Sequence, residues 1–204
     1  MQNAVWISYA MMDETKFLPI KSDISLSDVQ RAIDAQTRNV KGEPLAREHF
    51  PERAYGNAEN DAPIFDKLPD IFSCGGYWVV SESCADVLAQ FNLGRGALHP
   101  IEIFQRDHRT PVPGRYFCLN FGCVKEVFLP GESPRARKDR NRAETWKPPF
   151  VLKNEDIAVS ETALNGCDLW IDPRMARAFF VSDDLAKALK AAKVNLGLRR
   201  CRVL

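Results

Sequence analysis

The sequence has 204 residues, 45% of them apolar and 27% charged, a balance that belongs to a folded globular chain and excludes a disordered or fibrous one. Its 28 Lys and Arg nearly match its 27 Asp and Glu, leaving a net charge of +1, so overall charge gives no pull towards nucleic acid or an acidic membrane and any electrostatic function is local. No apolar run approaches membrane-spanning length, and the stretch from Met1 to Lys16 lacks the basic start of a secretory signal.

The length suits a single domain over residues 1–204, with a less regular part over 1–70 and a more regular core over 71–204. Val5 to Tyr9 predicts an opening strand. A helix is expected from about Ser25, with Leu26, Val29 and Ile33 on one face. From Gly42 to Pro69 the turn formers Pro44, Pro51, Gly56, Asn57, Asn60, Asp61 and Pro63 predict a surface connection with little regular structure.

Two later segments share one design, with Ser81 and Ser182 standing 101 residues apart. Tyr77 to Val80 and Ala178 to Val181 are apolar strands, each leading into a serine suited to cap a helix. Cys84, Val87, Leu88 and Phe91 in one copy recur at the spacing of Leu185, Ala188, Leu189 and Ala192 in the other. Each serine can accept from an orphan amide of the first turn, and Glu82, Asp183 and Asp184 suit the positive end of the helix dipole. Strands at Ile101 to Phe104 and Leu198 to Val203 complete a strand, helix, strand unit in each copy. Further strands are expected at Arg115 to Phe121, Val124 to Leu129, Phe150 to Leu152, Ile157 to Val159 and Asp168 to Ile171. The fold class is α+β: a mixed, largely antiparallel sheet with helices packed on it.

No catalytic constellation emerges. The six cysteines, Cys74, Cys84, Cys118, Cys123, Cys167 and Cys201, lack framework or zinc spacing and are expected to be unpaired. Asp107 beside His108 is the best local acid/base pair, but it precedes a turn sequence and neighbouring side chains of an extended chain diverge. His49 and His99 have no ligand spacing. Asp172-Pro173 reads as a turn, with Trp170 contributing to a core, and Gly75-Gly76 precedes a strand where a phosphate cradle would open a helix. No cofactor or metal is implied. The basic run Arg135, Arg137, Lys138, Arg140 and Arg142, with Trp146 at its edge, lies in a polar stretch from Pro130 to Pro149. It predicts a solvated loop, either merely soluble or able to engage an acidic protein surface or phosphates.

Leu68-Pro69-Asp70-Ile71-Phe72, Gly75-Gly76 leading to Val79-Val80-Ser81-Glu82, Tyr116-Phe117-Cys118-Leu119-Asn120, and Phe179 to Leu185 with Gly197-Leu198 together resemble an immunity-protein family, the eleventh of bacterial polymorphic toxin systems and formerly a domain of unknown function. The resemblance spans roughly Leu68 to Leu204. It implies a cytoplasmic, non-enzymatic protein whose partner is a cognate toxin, with no membrane or nucleic-acid partner and no family catalytic residue to carry over. On that reading Arg135, Arg137, Lys138, Arg140, Arg142 and Trp146 are the candidate partner-binding residues. The rival is a small enzyme or nucleic-acid-processing factor using Asp107, His108 and the basic loop 135–142. Oligomeric state stays open.

Overall fold

The computed structural model describes residues 4–57 and 63–204, so Asn60 and Asp61 of the turn-rich stretch lie outside the described residues. In chain order, β1 (Val5–Ser8), β2 (Phe17–Leu18) and β3 (Ile20–Ser22) precede helices α1 (Asp23–Ser27) and α2 (Val29–Asn39). After β4 (Arg53–Gly56), the hairpin β5 (Ile71–Cys74) and β6 (Tyr77–Ser81) leads to α3 (Glu82–Leu88), β7 (Ala97–Phe104) and β8 (Tyr116–Asn120). Short strands β9 (Arg137–Lys138), β10 (Trp146–Lys147), β11 (Ala158–Val159) and β12 (Leu169–Trp170) follow. The chain closes with β13 (Phe179–Ser182), α4 (Asp183–Ala191), β14 (Leu198–Arg200) and β15 (Arg202–Val203).

Among the described residues the largest sheet has seven strands in the order β2-β5-β6-β8-β7-β4-β3. Its two edge strands are consecutive in the chain, separated by Pro19 alone, so the sheet must curl until its edges meet at one corner. Side-chain alternation along the strands then assigns each residue to one side. Tyr77 and Val79 of β6 face the inside of the curl, with Phe72, Ile101 and Cys118. Trp78 and Val80 face outwards onto a helical layer that includes Cys84, Leu88, Leu185 and Leu189. A second sheet, β12-β13-β1-β14, covers the far side of those helices. Phe179 and Val181 point into the helical layer, while Trp170, Phe180, Val5 and Ile7 point to a third cluster behind it. Strand pairing is mixed and mostly antiparallel, and with the helices between sheets the fold is α+β as expected.

The two similar units have the predicted order and share more than that. Ser81 Oγ accepts from Cys84 N at 3.4 Å, and Ser182 Oγ accepts from Leu185 N at 3.3 Å. In each unit a hairpin, helix and further strand are arranged so that one antiparallel strand lies between the strands that flank the helix. That strand is β8 in the first unit and β1 in the second. The units also clasp each other reciprocally. Asp70 O receives Ser81 N and the Asp70 carboxylate receives Asn195 N; Asp168 O receives Ser182 N and the Asp168 carboxylate receives Asn92 N. Each asparagine in turn accepts from a glycine two residues on, Gly197 or Gly94, and both glycines hold φ +65.

Several expectations fail for identifiable reasons. Leu26, Val29 and Ile33 are exposed, and α2 buries Ala32, Ala35 and Asn39 instead. Small residues let this helix come close to the curled sheet: Gln36 donates to Gly75 O at 2.7 Å, and a Cβ on Gly76 would overlap the Gln36 side chain. Asn39 then bridges Leu119 O and Phe121 N from a fully packed position, a better use of the buried face than an aliphatic stripe. Phe150 and Val151 lie outside any strand and are exposed. Val124 to Leu129 makes only isolated bridges, to Ile171 and Val159.

The cysteine expectation is also corrected. Cys123 and Cys167 form a disulfide, and Cys74, Cys84, Cys118 and Cys201 are free and buried. The two bonded residues are 44 apart in sequence. The arrival of β12 beside residues 123–125, with Ile171 N donating to Cys123 O at 2.9 Å, brings them together. Among the described residues no helix is long and apolar enough to cross a membrane.

Candidate functional site

The basic stretch is a tethered hairpin rather than a loose loop. β9 pairs antiparallel with β10, Lys138 opposite Trp146 and Arg137 opposite Lys147. Buried Ser133 fixes its entrance by donating to Leu129 O and accepting from Ala158 N. Trp146 fixes its exit: its amide donates to Arg174 O, its carbonyl receives Ala176 N, and its ring meets Phe128 edge-on at 5.7 Å. Arg135 reaches both carboxylate oxygens of Asp156 at 2.9 Å. Arg137 donates to Pro148 O and stacks over Phe150 at 3.6 Å. Ser133, Arg135, Arg137 and Trp146 therefore hold the hairpin in place. Lys138 meets Glu144 at 3.7 Å with both side chains exposed, an arrangement worth little. Lys147 pairs with Asp139 at 2.6 Å, and this hydrogen bond is the main reason the Asp139 carboxyl is held below its usual range. Arg140 and Arg142 are exposed at the turn.

This hairpin forms one wall of a cleft of about 1180 Å³. The opposite wall is the end of α2, with Val40 and Lys41. Trp78 and Met11 make an apolar floor together with Phe17, which is half-exposed and packs edge-on against Trp78 at 5.6 Å. The remaining side is the segment after β12, carrying Asp172 and Arg177. Sequence reading singled out Arg142 of this set and missed Phe17, Lys41 and Arg177, because the cleft assembles from segments far apart in the chain.

The chain matches the Immunity protein family (Imm11) over residues 10–199. It belongs to that family. The match begins well before Leu68, where the motif resemblance starts, so the Imm11 pattern takes in α2 and the curled sheet's first strands. No curated protein matches this chain.

The other candidate residues of this Imm11 protein do not assemble into a reactive group. The Asp107 carboxylate is taken up by its own turn, receiving Thr110 Oγ1 at 2.6 Å, Thr110 N at 2.9 Å and Arg109 N at 3.0 Å, and the Thr110 side chain leads these in drawing its pKa down to about 2. His108, at φ 57, turns to Gly56 O at 3.3 Å and lies against the Tyr55 ring. Carboxylate and imidazole are thus engaged separately. His99 packs on Phe50, and burial, assisted by Arg47, lowers its pKa.

Asp172 is fully buried and receives Val127 N and Phe128 N, both at 2.7 Å, as well as Arg174 N and the Arg174 guanidinium. With Met175 N donating to Asp172 O it makes the expected turn, and Trp170 lies in a core. Nearby, Lys125 sits 3.8 Å over the Trp170 ring and donates to Ala163 O and Cys167 O; burial pulls its pKa down to about 8 against the attraction of Asp168. Among the described residues no group of three His, Cys, Asp or Glu side chains is placed to hold a metal ion.

Proposed function

We propose that this Imm11 protein neutralises a cognate toxin by binding it, without chemistry of its own, in the cytoplasm where that toxin is made. Family membership over residues 10–199 carries the reading. It is supported by the basic hairpin, whose internal anchors leave Arg140 and Arg142 facing outwards on a rigid mount. In this reading Arg135, Arg137 and Trp146 serve binding by holding the hairpin, while Lys138, Arg140 and Arg142 meet the toxin. A pre-ordered surface loses less conformational freedom on association than a floppy loop would.

The test is co-expression with the product of the adjacent gene, read as co-purification and as rescue from toxicity. Binding and rescue by the wild-type chain are expected, and His108→Ala should retain both, because among the described residues the imidazole meets a backbone carbonyl and no carboxylate. Loss of rescue by His108→Ala with binding preserved would instead place chemistry at that residue.

A further inference from the structure

We propose that the cleft between the basic hairpin and the end of α2 receives an acidic segment of the toxin with an apolar side chain at its centre, an inference that rests on the toxin-binding reading above. The volume of about 1180 Å³ exceeds what one side chain needs and reaches the size of sites that enclose a whole ligand. Its floor is apolar, and Phe17 and Val40 remain 51% and 39% exposed there. An inserted aliphatic or aromatic side chain would desolvate them, which is how the few dominant contacts of an interface arise. The exposed stripe of Leu26, Val29 and Ile33 on α1 and α2 leads along the helix towards Val40, extending an apolar surface outwards from the cleft.

Charge selects the rest of the occupant. Of the ionic groups around the cleft, Lys147 is neutralised by Asp139 and Asp172 by Arg174. Lys41, Arg142 and Arg177 come from three separate segments and enter no ion pair among the described residues. Three cations outside any ion pair, set around an apolar floor, complement carboxylates flanking an apolar residue. Nucleic acid fits less well. The rim offers no series of aromatic faces for successive bases.

Arg177 adds an independent indication. It holds φ +60, a conformation in which glycine is at ease and an L side chain is strained, yet its guanidinium makes no hydrogen bond or ion pair among the described residues. The fold gains nothing evident from an arginine at this position. A partner entering the cleft would.

The experiment measures affinity and association rate of the full chain for the toxin domain encoded by the adjacent gene, at two salt concentrations. The combined variant Lys41→Glu, Arg142→Glu and Arg177→Glu should weaken binding by about 100-fold and abolish the salt dependence of the association rate. Arg177→Gly should weaken it by about tenfold while thermal stability is unchanged or raised, separating recognition from folding. Wild-type binding with both variants equally tight would overturn the cleft proposal and leave the toxin-binding reading standing. No wild-type binding would overturn both. A mixed-sequence single-stranded 20-mer of DNA that binds the wild type and not the combined variant would overturn it in favour of nucleic acid. Self-association of the wild type, lost in the combined variant, would do so in favour of a second copy.

Discussion

The two strand, helix, strand units use the same local code and finish it differently. Both begin from a hairpin, both cap the helix with a serine, and both carry an aspartate that clasps the other unit's Asn-x-Gly turn. The first unit backs onto the apolar interior of the curled sheet, where Phe72, Tyr77, Val79 and Cys118 meet. The second backs onto short, irregular segments and encloses ionic groups: Asp172 within a nest of amides and Lys125 over Trp170. The difference teaches that one supersecondary plan tolerates either support. Apolar surface is enough where many strands converge, and hydrogen bonding to buried charge takes over where regular structure runs out.

Breaking the ionic support should have the largest effect. Asp172→Ala leaves the Val127 and Phe128 amides and the Arg174 guanidinium without their acceptor, and is expected to cost about 3–5 kcal/mol by denaturant titration. A cost under 1 kcal/mol would mean that the second unit does not depend on this carboxylate. Next come the helices that both units share. Leu88→Ala and Leu189→Ala remove fully buried side chains from one cluster, at about 2–5 kcal/mol each. The double variant should depart from additivity, since α3 and α4 pack against each other; strict additivity would show that the units are energetically separate.

The caps should be the closest match between the units. Ser81→Ala and Ser182→Ala are each expected to lower stability by about 1 kcal/mol, with Ser81 the more sensitive because its hydroxyl also donates to Asp70 at 3.3 Å. A shift in thermal midpoint seen in one variant only would break the equivalence. The remaining expected effect is a pH dependence that Lys125 contributes beside the second unit. Lys125 is drawn from 10.5 down to about 8 by burial, so the folded chain releases this proton before the unfolded one does. Stability from Lys125 is therefore flat below about 8 and rises with pH from there to 10.5. The difference between wild type and Lys125→Met should show that rise, and a pH-independent difference would remove it.

Much of this plan is legible in the sequence, because each capped helix announces itself within a dozen residues. The serine, the acidic first turn and the apolar spacing are local signals. Asn92-Leu93-Gly94 recurs as Asn195-Leu196-Gly197, and this local signal would have revealed the reciprocal clasp. The α2 stripe misleads because aliphatic periodicity shows that a face exists but not whether tertiary packing prefers the small-residue face beside it. The hairpin at 137–147 is hidden because its strands are two residues long and are held by Ser133 and Trp146 to distant segments. The disulfide and the cleft are invisible for the same reason: each depends on chain segments brought together only by the completed sheets.

Strand β1 has a consequence for the timing of folding. It fills the slot between β13 and β14, and Trp6 donates to Asp183 across 177 residues of chain. At a synthesis rate of about 5–20 residues per second, the opening strand waits on the order of 10–40 s for its partners to leave the ribosome. The first unit can close during that interval, while β1 remains an unpaired apolar segment. On the toxin-binding proposal, a toxin translated alongside would meet a complete partner only after the last strands emerge.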